Sequence, residues 1–251
     1  MNTIKSLLAA WTFYLCLPAP QKIELDFSRI ARWAPIMGLI LGGILCLCDY
    51  GLGLLEMPLM ARSTIIIFLW LLLTGGLHLD GAMDSADGLA VTNPTRRLAV
   101  MADSATGAFG AMAAVAILSL KIVSLSAINQ QRWLVLLLIP AWARWAQVLA
   151  ISLYPYLKAE GKGAMHSKGV KPLPDLLGGL LALSLVAALQ FYWQPVVLIP
   201  AVAGVGLILS YLVGKYFDRV FGGHTGDTYG AVVEWVEALG LAILTIPLWY
   251  Q

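Results

Sequence analysis

Long apolar stretches separated by short polar segments dominate this chain. Seven stretches approach the ~20 residues that a helix needs to cross the hydrocarbon core of a bilayer. The fifth is short, and a tight turn at Gln194-Pro195 joins it to the sixth, so six to eight spans are compatible with the pattern. The predicted spans are residues 33–55, 60–79, 107–128, 133–154, 175–192, 195–216 and 230–249.

The N-terminal segment has a different pattern. Lys5 is followed by an apolar run, as in a signal peptide, but no cleavage site of small residues follows it. Trp11, Phe13 and Tyr14 are typical of side chains that anchor a helix at the membrane surface. We therefore predict a short interfacial or re-entrant helix that stays in the mature protein.

Composition supports a membrane protein. Hydrophobic residues make up 60% of the 251 positions and charged residues only 12%, and the mean hydropathy is +0.82. That is too little polar surface to cover a soluble globule of this length. No internal repeat is visible, so we predict one all-α, polytopic membrane domain over residues 1–251, in contact with lipid and with no nucleic-acid partner.

Basic residues predict how the helices are oriented. Most Lys and Arg side chains fall on one side of the predicted spans, which the positive-inside rule assigns to the cytoplasm. The opposite side receives only Arg62 and Arg132. The loops 80–106, 155–174 and 217–229 are then all cytoplasmic. The residues on that side are Lys5, Lys22, Arg29, Arg32, Arg96, Arg97, Lys158, Lys162, Lys168, Lys171, Lys215 and Arg219.

Three carboxylates follow the second apolar stretch. In a helix, Asp80, Asp84 and Asp87 would project from one face and repel one another, so a cation must compensate them. Oxygen ligands of this kind suit Mg²⁺, Mn²⁺ or Ca²⁺, and Mg²⁺ is usually held by a few carboxylates together with substrate phosphates. The competing interpretation, acids that only solvate a helix end, fits less well because no base lies between His78 and Arg96.

A second acidic segment lies near the C-terminus. Residues 222–230 contain four glycines and lead into the last predicted span. Backbone N–H groups of such a loop, with the N-terminus of the next helix, can cradle phosphate. Asp227 adds a carboxylate on the same predicted face as Asp80, and Asp103 and Gly88 belong to the first acidic region.

Ionisable residues inside the predicted spans are expensive in a bilayer and mark either function or an ion pair. We predict an ion pair for Lys121 and place Arg144 and Glu234 at the edge of the site. The lysine-rich loop from Lys158 to Lys171 either follows the positive-inside rule or binds an anionic substrate.

These motifs together resemble those of the cobalamin synthase family, also called adenosylcobinamide-GDP ribazoletransferases. The resemblance rests on His78-Leu79-Asp80-Gly81 with Asp84, Asp87 and Gly88, on Met101-Ala102-Asp103-Ser104 with Gly107 and Gly110, and on residues 222–231. Length and hydrophobic profile agree across the whole chain.

The resemblance implies a Mg²⁺-dependent transfer in which adenosylcobinamide-GDP reacts with α-ribazole or its 5′-phosphate and GMP is released. It implies an enzyme of the prokaryotic inner membrane whose site faces the cytoplasm, as a possible homo-oligomer associated with other enzymes of the pathway. The residues that it assigns to metal binding and catalysis are Asp80, Asp84, Asp87, Asp103 and Asp227. The residues that it assigns to substrate binding are His78, Gly88, Arg144, Lys162, Gly223, His224, Thr225, Gly226 and Glu234.

Two other classes compete. A CDP-alcohol phosphotransferase performs the same displacement, and Asp84-x-x-Asp87-Gly88 matches the opening of its motif, but the expected continuation fails at Val91-Thr92 and over residues 108–115. An ion-coupled transporter would place its charges near the bilayer midplane or at a repeat interface, whereas these acids fall in loops and at helix ends.

Overall fold

The computed structural model describes residues 3–18, 23–158, 169–193 and 195–246. Within these ranges the protein is helical, and the β pairing is limited to a single bridge between Tyr156 and His224. A 3-10 turn, Ile30–Trp33, precedes α2. The helices are α1 (Thr3–Leu15), α2 (Ala34–Leu54), α3 (Leu59–Leu73), α4 (Leu77–Ala90), α5 (Pro94–Val100), α6 (Ala108–Ala127), α7 (Arg132–Leu153), α8 (Pro172–Trp193), α9 (Leu198–Phe221) and α10 (Gly226–Ile243).

Five helical segments are long and apolar enough to cross a membrane, and each matches a predicted span to within a few residues. The all-α, polytopic membrane fold is therefore confirmed. These spans are Ile30–Leu54, Ala108–Ala127, Arg132–Leu153, Pro172–Trp193 and Leu198–Phe221.

The predicted span 60–79 is wrong as a continuous helix. α3 ends at Leu73, and α4 starts after an 89° bend. Gly75 and Gly76 make this bend with φ angles of +60° and +69°, in the left-handed region that glycine enters without a steric penalty. Hydropathy missed the break because the apolar run continues to Leu79. α3 and α4 count as one broken span at most.

The predicted span 230–249 differs from the described helix at its start, and its residues 247–249 lie outside the described residues. α10 begins at Gly226, before the predicted start, and carries Asp227, Glu234 and Glu237. It does not meet the apolar criterion for a span, and its central residues are buried by other helices instead. Over the part of the chain that the structure describes, five helices are long and apolar enough to be spans, or six if the bent pair is one span, which is the lower end of the predicted range.

The N-terminal segment forms a helix, as predicted. α1 buries Ala9, Ala10, Tyr14 and Leu15 in the main apolar core. Its position at the membrane surface stays a prediction. The packing shows that α1 is an integral part of the folded bundle.

Helix α7 lies at the centre of the bundle, and most of its residues are buried. α2 approaches it closely because a Cβ on Gly38 or Gly42 would lie 2.5 Å from backbone atoms of α7. Small residues at a helix crossing allow this kind of contact in membrane proteins. α9 and α10 pack on another side of α7, α4 packs on α10, and the four helices share a second apolar cluster.

The two ends of α7 carry different polar groups. At its start, Arg132 donates a 2.8 Å hydrogen bond to Asp49, and Arg62 forms an ion pair with the same carboxylate at 3.0 Å. The only two basic residues predicted on the outer side therefore share one buried acid.

The opposite end of α7 brings the three predicted polar loops together. The Arg97 guanidinium donates to the Val220 carbonyl at 2.9 Å, which joins the first loop to the third. Lys158 Nζ lies 2.9 Å from the Asp227 carboxylate, which joins the second to the third. The prediction that these loops share one face of the protein is confirmed.

Candidate active site

The acids of the first and third loops meet because α4 and α10 pack backbone to backbone. A Cβ on Gly81 would lie 2.6 Å from the Asp227 carbonyl oxygen, and one on Gly230 would lie 2.9 Å from the His78 carbonyl oxygen. Any larger residue at either position would separate the helices. The two glycines thus hold Asp80 and Asp227 beside the same cavity.

The helical arrangement of the first acidic cluster is confirmed, since Asp80, Asp84 and Asp87 all lie on α4. Burial, followed by the negative charges of Asp80, Asp227 and Asp87, raises the pKa of the Asp84 carboxyl to about 6. Neighbouring carboxylates raise a pKa when no cation balances them. The cluster therefore has the electrostatics of a cation site.

Asp87 has a structural partner that the sequence pattern did not reveal. Its two carboxylate oxygens accept 2.8 Å hydrogen bonds from the backbone N–H groups of Gly107 and Gly110. These groups belong to the N-terminal end of α6, which attracts negative charge. Asp87 thus caps α6 from another helix, and each oxygen keeps a further lone pair for a cation.

This contact predicts the effect of Gly110→Ala. The added Cβ would lie 2.5 Å from an Asp87 oxygen and 3.0 Å from the Met83 carbonyl oxygen, so the carboxylate must move. We expect a loss of about 1–3 kcal/mol in the free energy of unfolding, with reduced turnover. Gly178→Ala on α8 is the matched control, since nothing lies within 4 Å of its added Cβ. Equal melting temperatures for both variants in detergent would contradict this account.

Asp227 is held by two neighbours. Lys158 Nζ lies 2.9 Å from Oδ2, and the Thr225 hydroxyl donates to the same oxygen at 3.2 Å. Among the described lysines of the basic loop, Lys158 is therefore the one paired with an acid of the site, and no sequence pattern favoured it over Lys162. Lys162 lies outside the described residues.

Asp103 stands apart from the other predicted ligands. Its side chain is exposed and accepts a 3.1 Å hydrogen bond from the backbone N–H of Ala105, two residues away. The described contacts do not connect it to α4 or α10. Its assignment as a metal ligand stays a prediction.

Asp80 and Asp84 are the carboxylates best available to a cation. Neither accepts a hydrogen bond from a side chain or backbone group in the described part of the chain. Over the same residues, no three His, Cys, Asp or Glu side chains are already grouped tightly enough to enclose a metal. Mg²⁺ typically takes one or two carboxylates and completes its shell with water and substrate phosphates. The donor set fits that mode of binding.

His224 is locked inside the protein. Its Nε2 lies 3.1 Å from the Gly214 carbonyl, to which it donates, and Nδ1 lies 3.0 Å from the Thr228 hydroxyl. The ring stacks between Tyr154 and Tyr229, and its residue is fully buried. In this arrangement His224 joins the end of α7 to the start of α10 rather than facing a substrate.

The burial of His224 predicts a pH dependence of stability. Burial lowers the pKa of this imidazole to about 4, an effect that the hydrogen bond to Gly214 partly offsets. Between pH 6.5 and 4 the unfolded chain binds a proton that the folded protein does not, so stability falls as the pH falls, by about 3 kcal/mol in total. His224→Gln should flatten this slope in thermal melts of the detergent-solubilised protein. An unchanged slope would contradict the assignment.

The predicted phosphate cradle is a well-formed helix N-terminus. Thr225 is the N-cap of α10 and forms a capping box with Thr228. Gly226 follows at the first helical position, exposed at the cavity that Asp227 also lines. Gly223 is buried instead, with the Pro155 carbonyl 2.6 Å from the place of a Cβ. Gly88 likewise packs against Met101.

The charges inside the bundle pair with one another. Lys121 Nζ lies 2.6 Å from Glu234 and 2.5 Å from Glu237, which confirms the predicted ion pair for Lys121. Arg144 Nη1 donates to the other oxygen of Glu237 at 2.8 Å. Two cations and two carboxylates thus form a balanced network, which we call the buried charge network. Glu234 and Arg144 belong to it.

Two adjoining cavities open beside the acids. The inner cavity has a volume of about 240 Å³ and is lined by His78, Asp80, Gln147, Asp227 and Tyr229, among others. The outer cleft has a volume of about 600 Å³ and lies between α1 and the start of α4. Both are bounded by Phe13, Leu77 and Asp80. Sequence reasoning did not assign Phe13 or Gln147 to the site, because an isolated aromatic or amide residue in an apolar helix carries no signal, and it included Tyr229 only as a member of the motif 222–231.

Carboxylates beside cavities at one end of an apolar helical bundle are typical of a membrane-embedded enzyme that binds a cation or phosphates. Sequence comparison gives the family. The model of the family described as Cobalamin-5-phosphate synthase matches residues 6–245, and the chain belongs to this family. The resemblance inferred from the motifs is thereby confirmed.

Curated relatives carry a consistent name. A protein of Trichormus variabilis named adenosylcobinamide-GDP ribazoletransferase is 52% identical over 243 residues, which cover 96% of each chain. One from a Synechococcus species is 53% identical over 95% of each chain, and one from a Synechocystis species is 47% identical over 95% of this chain and 93% of its own. No solved structure gives a significant match.

Proposed function

We propose that the protein is an adenosylcobinamide-GDP ribazoletransferase that joins this nucleotide-activated corrinoid to α-ribazole or its 5′-phosphate and releases GMP. The observation that carries the proposal is the meeting of Asp80 and Asp84 on α4 with Asp227 on α10 at one polar end of the bundle. The names of the full-length relatives supply the substrates.

The reaction exchanges a phosphoanhydride bond for a phosphate ester. The oxygen of a ribose hydroxyl forms a bond to the phosphorus that bears cobinamide, and the bond from that phosphorus to the oxygen of GMP breaks. The hydroxyl proton passes to a base, and GMP leaves with the electrons of the broken bond. A group near the nucleophile must therefore accept a proton, and cations must balance the phosphate oxygens.

We propose Mg²⁺ as the cofactor, held by Asp80 and Asp84 with substrate phosphates, and with Asp87 and Asp227 in reach. When bound, Mg²⁺ would neutralise charge on the phosphate oxygens and on the departing GMP. A carboxylate of the same cluster that does not bind the metal can accept the proton from the ribose hydroxyl.

The chain's own groups would position the diphosphate. Lys158 lies at the mouth of the site, about one-third exposed and paired with Asp227, so its ammonium can also meet an anionic substrate. The N-terminus of α10 presents backbone N–H groups and its partial positive charge at the same place. Lys162 belongs to the adjoining loop and keeps its predicted role in binding the diphosphate.

We further propose that this end of the bundle faces the cytoplasm of a prokaryotic cell, in the inner membrane. The basic residues of the three joined loops support that orientation through the positive-inside rule. Homo-oligomer formation and association with other enzymes of the pathway stay predictions.

GMP release tests the proposed function. Protein purified in detergent is incubated with adenosylcobinamide-GDP and α-ribazole 5′-phosphate, with Mg²⁺ and then with excess EDTA. We expect release of GMP together with a cobalamin product, and loss of both with EDTA that added Mg²⁺ restores. Folded protein that releases no GMP would contradict the activity, whereas release that EDTA does not affect would contradict only the metal.

A further inference from the structure

We infer that the inner cavity binds the flat base of the nucleoside acceptor, with Gln147 and Tyr229 as the side chains that recognise it and Phe13 as one wall. This inference rests on the proposed function, because that function supplies the acceptor. It assigns the cavity to the base rather than to the corrinoid or the guanine nucleotide, and it gives α1 a part in the active site.

Two buried polar side chains line the cavity and each have one atom without a hydrogen-bond partner in the described part of the chain. Gln147 is 4% exposed and Tyr229 is 1% exposed, and both line the inner cavity. Among the described residues, neither the Gln147 Oε1 atom nor the Tyr229 hydroxyl has a hydrogen-bond partner. A buried polar atom left unpaired costs stability, so an unpaired atom on a side chain that lines a cavity is a candidate for contact with a ligand. A ligand with a polar edge would satisfy both.

The walls suit a planar aromatic ring. Tyr229 belongs to a stack with Tyr156 and His224, which holds its ring in a fixed orientation. Phe13 lines the cavity from α1, in edge-on contact with the ring of Tyr14. Because Tyr229 already stacks with two rings, a base in the cavity would meet the edge of Tyr229 and the ring of Phe13, and edge-to-face contacts between aromatic rings are favourable.

The size of the cavity limits which part of a substrate can enter. Its volume of about 240 Å³ lies below the ~300–1,000 Å³ of sites for drug-sized ligands. It equals the liquid volume of about eight water molecules, enough for a two-ring base such as the benzimidazole of α-ribazole. A corrin macrocycle is far too large. The more open outer cleft, of about 600 Å³, is the place for the bulkier donor.

The position of the cavity, next to the acids of the site, supports its assignment to the base of the acceptor. Asp80 and Asp227 stand on its lining, so a base held inside would carry its ribose to the carboxylates. Asp80 also lines the outer cleft, where the donor would bring its phosphates. Acceptor and donor would thus approach the acids from two sides of Phe13.

Gln147→Met tests the inference, because methionine keeps the length of the side chain and removes its amide. We expect the KM for α-ribazole 5′-phosphate to rise about tenfold, with the KM for adenosylcobinamide-GDP changed less than twofold. Free benzimidazole should inhibit the unmodified enzyme competitively against the ribazole substrate, and the variant should lose that inhibition in parallel. Tyr229→Phe removes a single oxygen and should act in the same direction.

Gln190→Met is the matched control. Gln190 lies on α8 outside both cavities, and its Oε1 also has no hydrogen-bond partner. This variant should keep both KM values and the inhibition by benzimidazole.

Three outcomes separate the possible results. If Gln147→Met and Tyr229→Phe both retain the KM of the acceptor and the inhibition by benzimidazole, the base binds elsewhere and the inference is overturned. If they raise the KM of the donor instead, the cavity holds part of the donor, and the inference is likewise overturned. Failure of the proposed function looks different, since the unmodified protein would then release no GMP from any pair of substrates.

Discussion

Asp84→Asn is expected to reduce kcat/KM for GMP release by at least about 10³-fold, near the upper end of what removal of one electrostatic group costs an enzyme. The substitution keeps the size of the side chain and removes its charge at the centre of the acidic cluster. Burial and three neighbouring acids already raise the pKa of Asp84, so loss of its charge relieves repulsion within the fold. The variant should therefore be as stable as the unmodified protein, or more so.

This combination of lost activity and retained stability distinguishes a functional acid from a structural one. Asp26→Asn is a suitable control, because Asp26 is partly exposed and, in the described part of the chain, its carboxylate accepts hydrogen bonds only from Ser28, two residues away. It should retain activity. The assignment fails if Asp84→Asn turns over at a rate close to that of the unmodified enzyme, or if it loses activity only because its melting temperature drops.

Lys121→Met is expected to have the largest effect on stability. It removes a cation from the buried charge network and leaves Glu234 and Glu237 with Arg144 alone. A buried pair broken on one side costs about 3–5 kcal/mol, because the remaining charge has no compensation. For a chain of this size we expect the midpoint of thermal unfolding in detergent to fall by roughly 10 °C.

A second substitution makes this prediction specific to charge. Lys121→Met combined with Glu234→Gln restores the balance, with Glu237 paired to Arg144 and a neutral amide in place of the other acid. The double variant should recover more than half of the lost stability, since the two effects are coupled through direct contact. If the double variant is no more stable than Lys121→Met alone, the loss arises from packing around Lys121.

The sequence predicted the five continuous spans because an apolar helix of about 20 residues has no other stable surroundings than lipid or a large core. It failed at the two helices that serve the site. The apolar run from Met60 to Leu79 hides a bend that depends on the backbone of Gly75 and Gly76, which hydropathy does not measure. The sequence pattern also predicted a span over most of α10, because it does not show that Glu234 and Glu237 pair with cations on other helices.

The acidic cluster could be predicted because its spacing on a helix is a local property. The partners of those acids could not. Asp87 bonds to Gly107 and Gly110 about twenty residues away, and Asp227 meets Lys158 from the end of another helix. These contacts depend on how the helices pack. The role of Gly107 and Gly110, which the sequence showed only as part of a family motif, is therefore visible only in the structure.

His224 illustrates a further limit of motif reasoning. A histidine in a glycine-rich loop near acids is typical of catalytic groups, yet its surroundings hold both ring nitrogens in internal contacts. The inner cavity shows the converse, since Gln147 has no distinctive sequence context but lines the cavity with an amide oxygen that has no hydrogen-bond partner among the described residues.

Helix α1 shows that insertion into the membrane and formation of the cavities depend on different residues of this protein. With 13 residues it spans only about 20 Å and is not among the helices that can cross a bilayer. Its Phe13 nevertheless lines both cavities. The helices that can cross the membrane and the helix that completes the walls of the two cavities are therefore different parts of the chain. Correct insertion of an N-terminally shortened or tagged protein is consequently no guide to its catalytic competence.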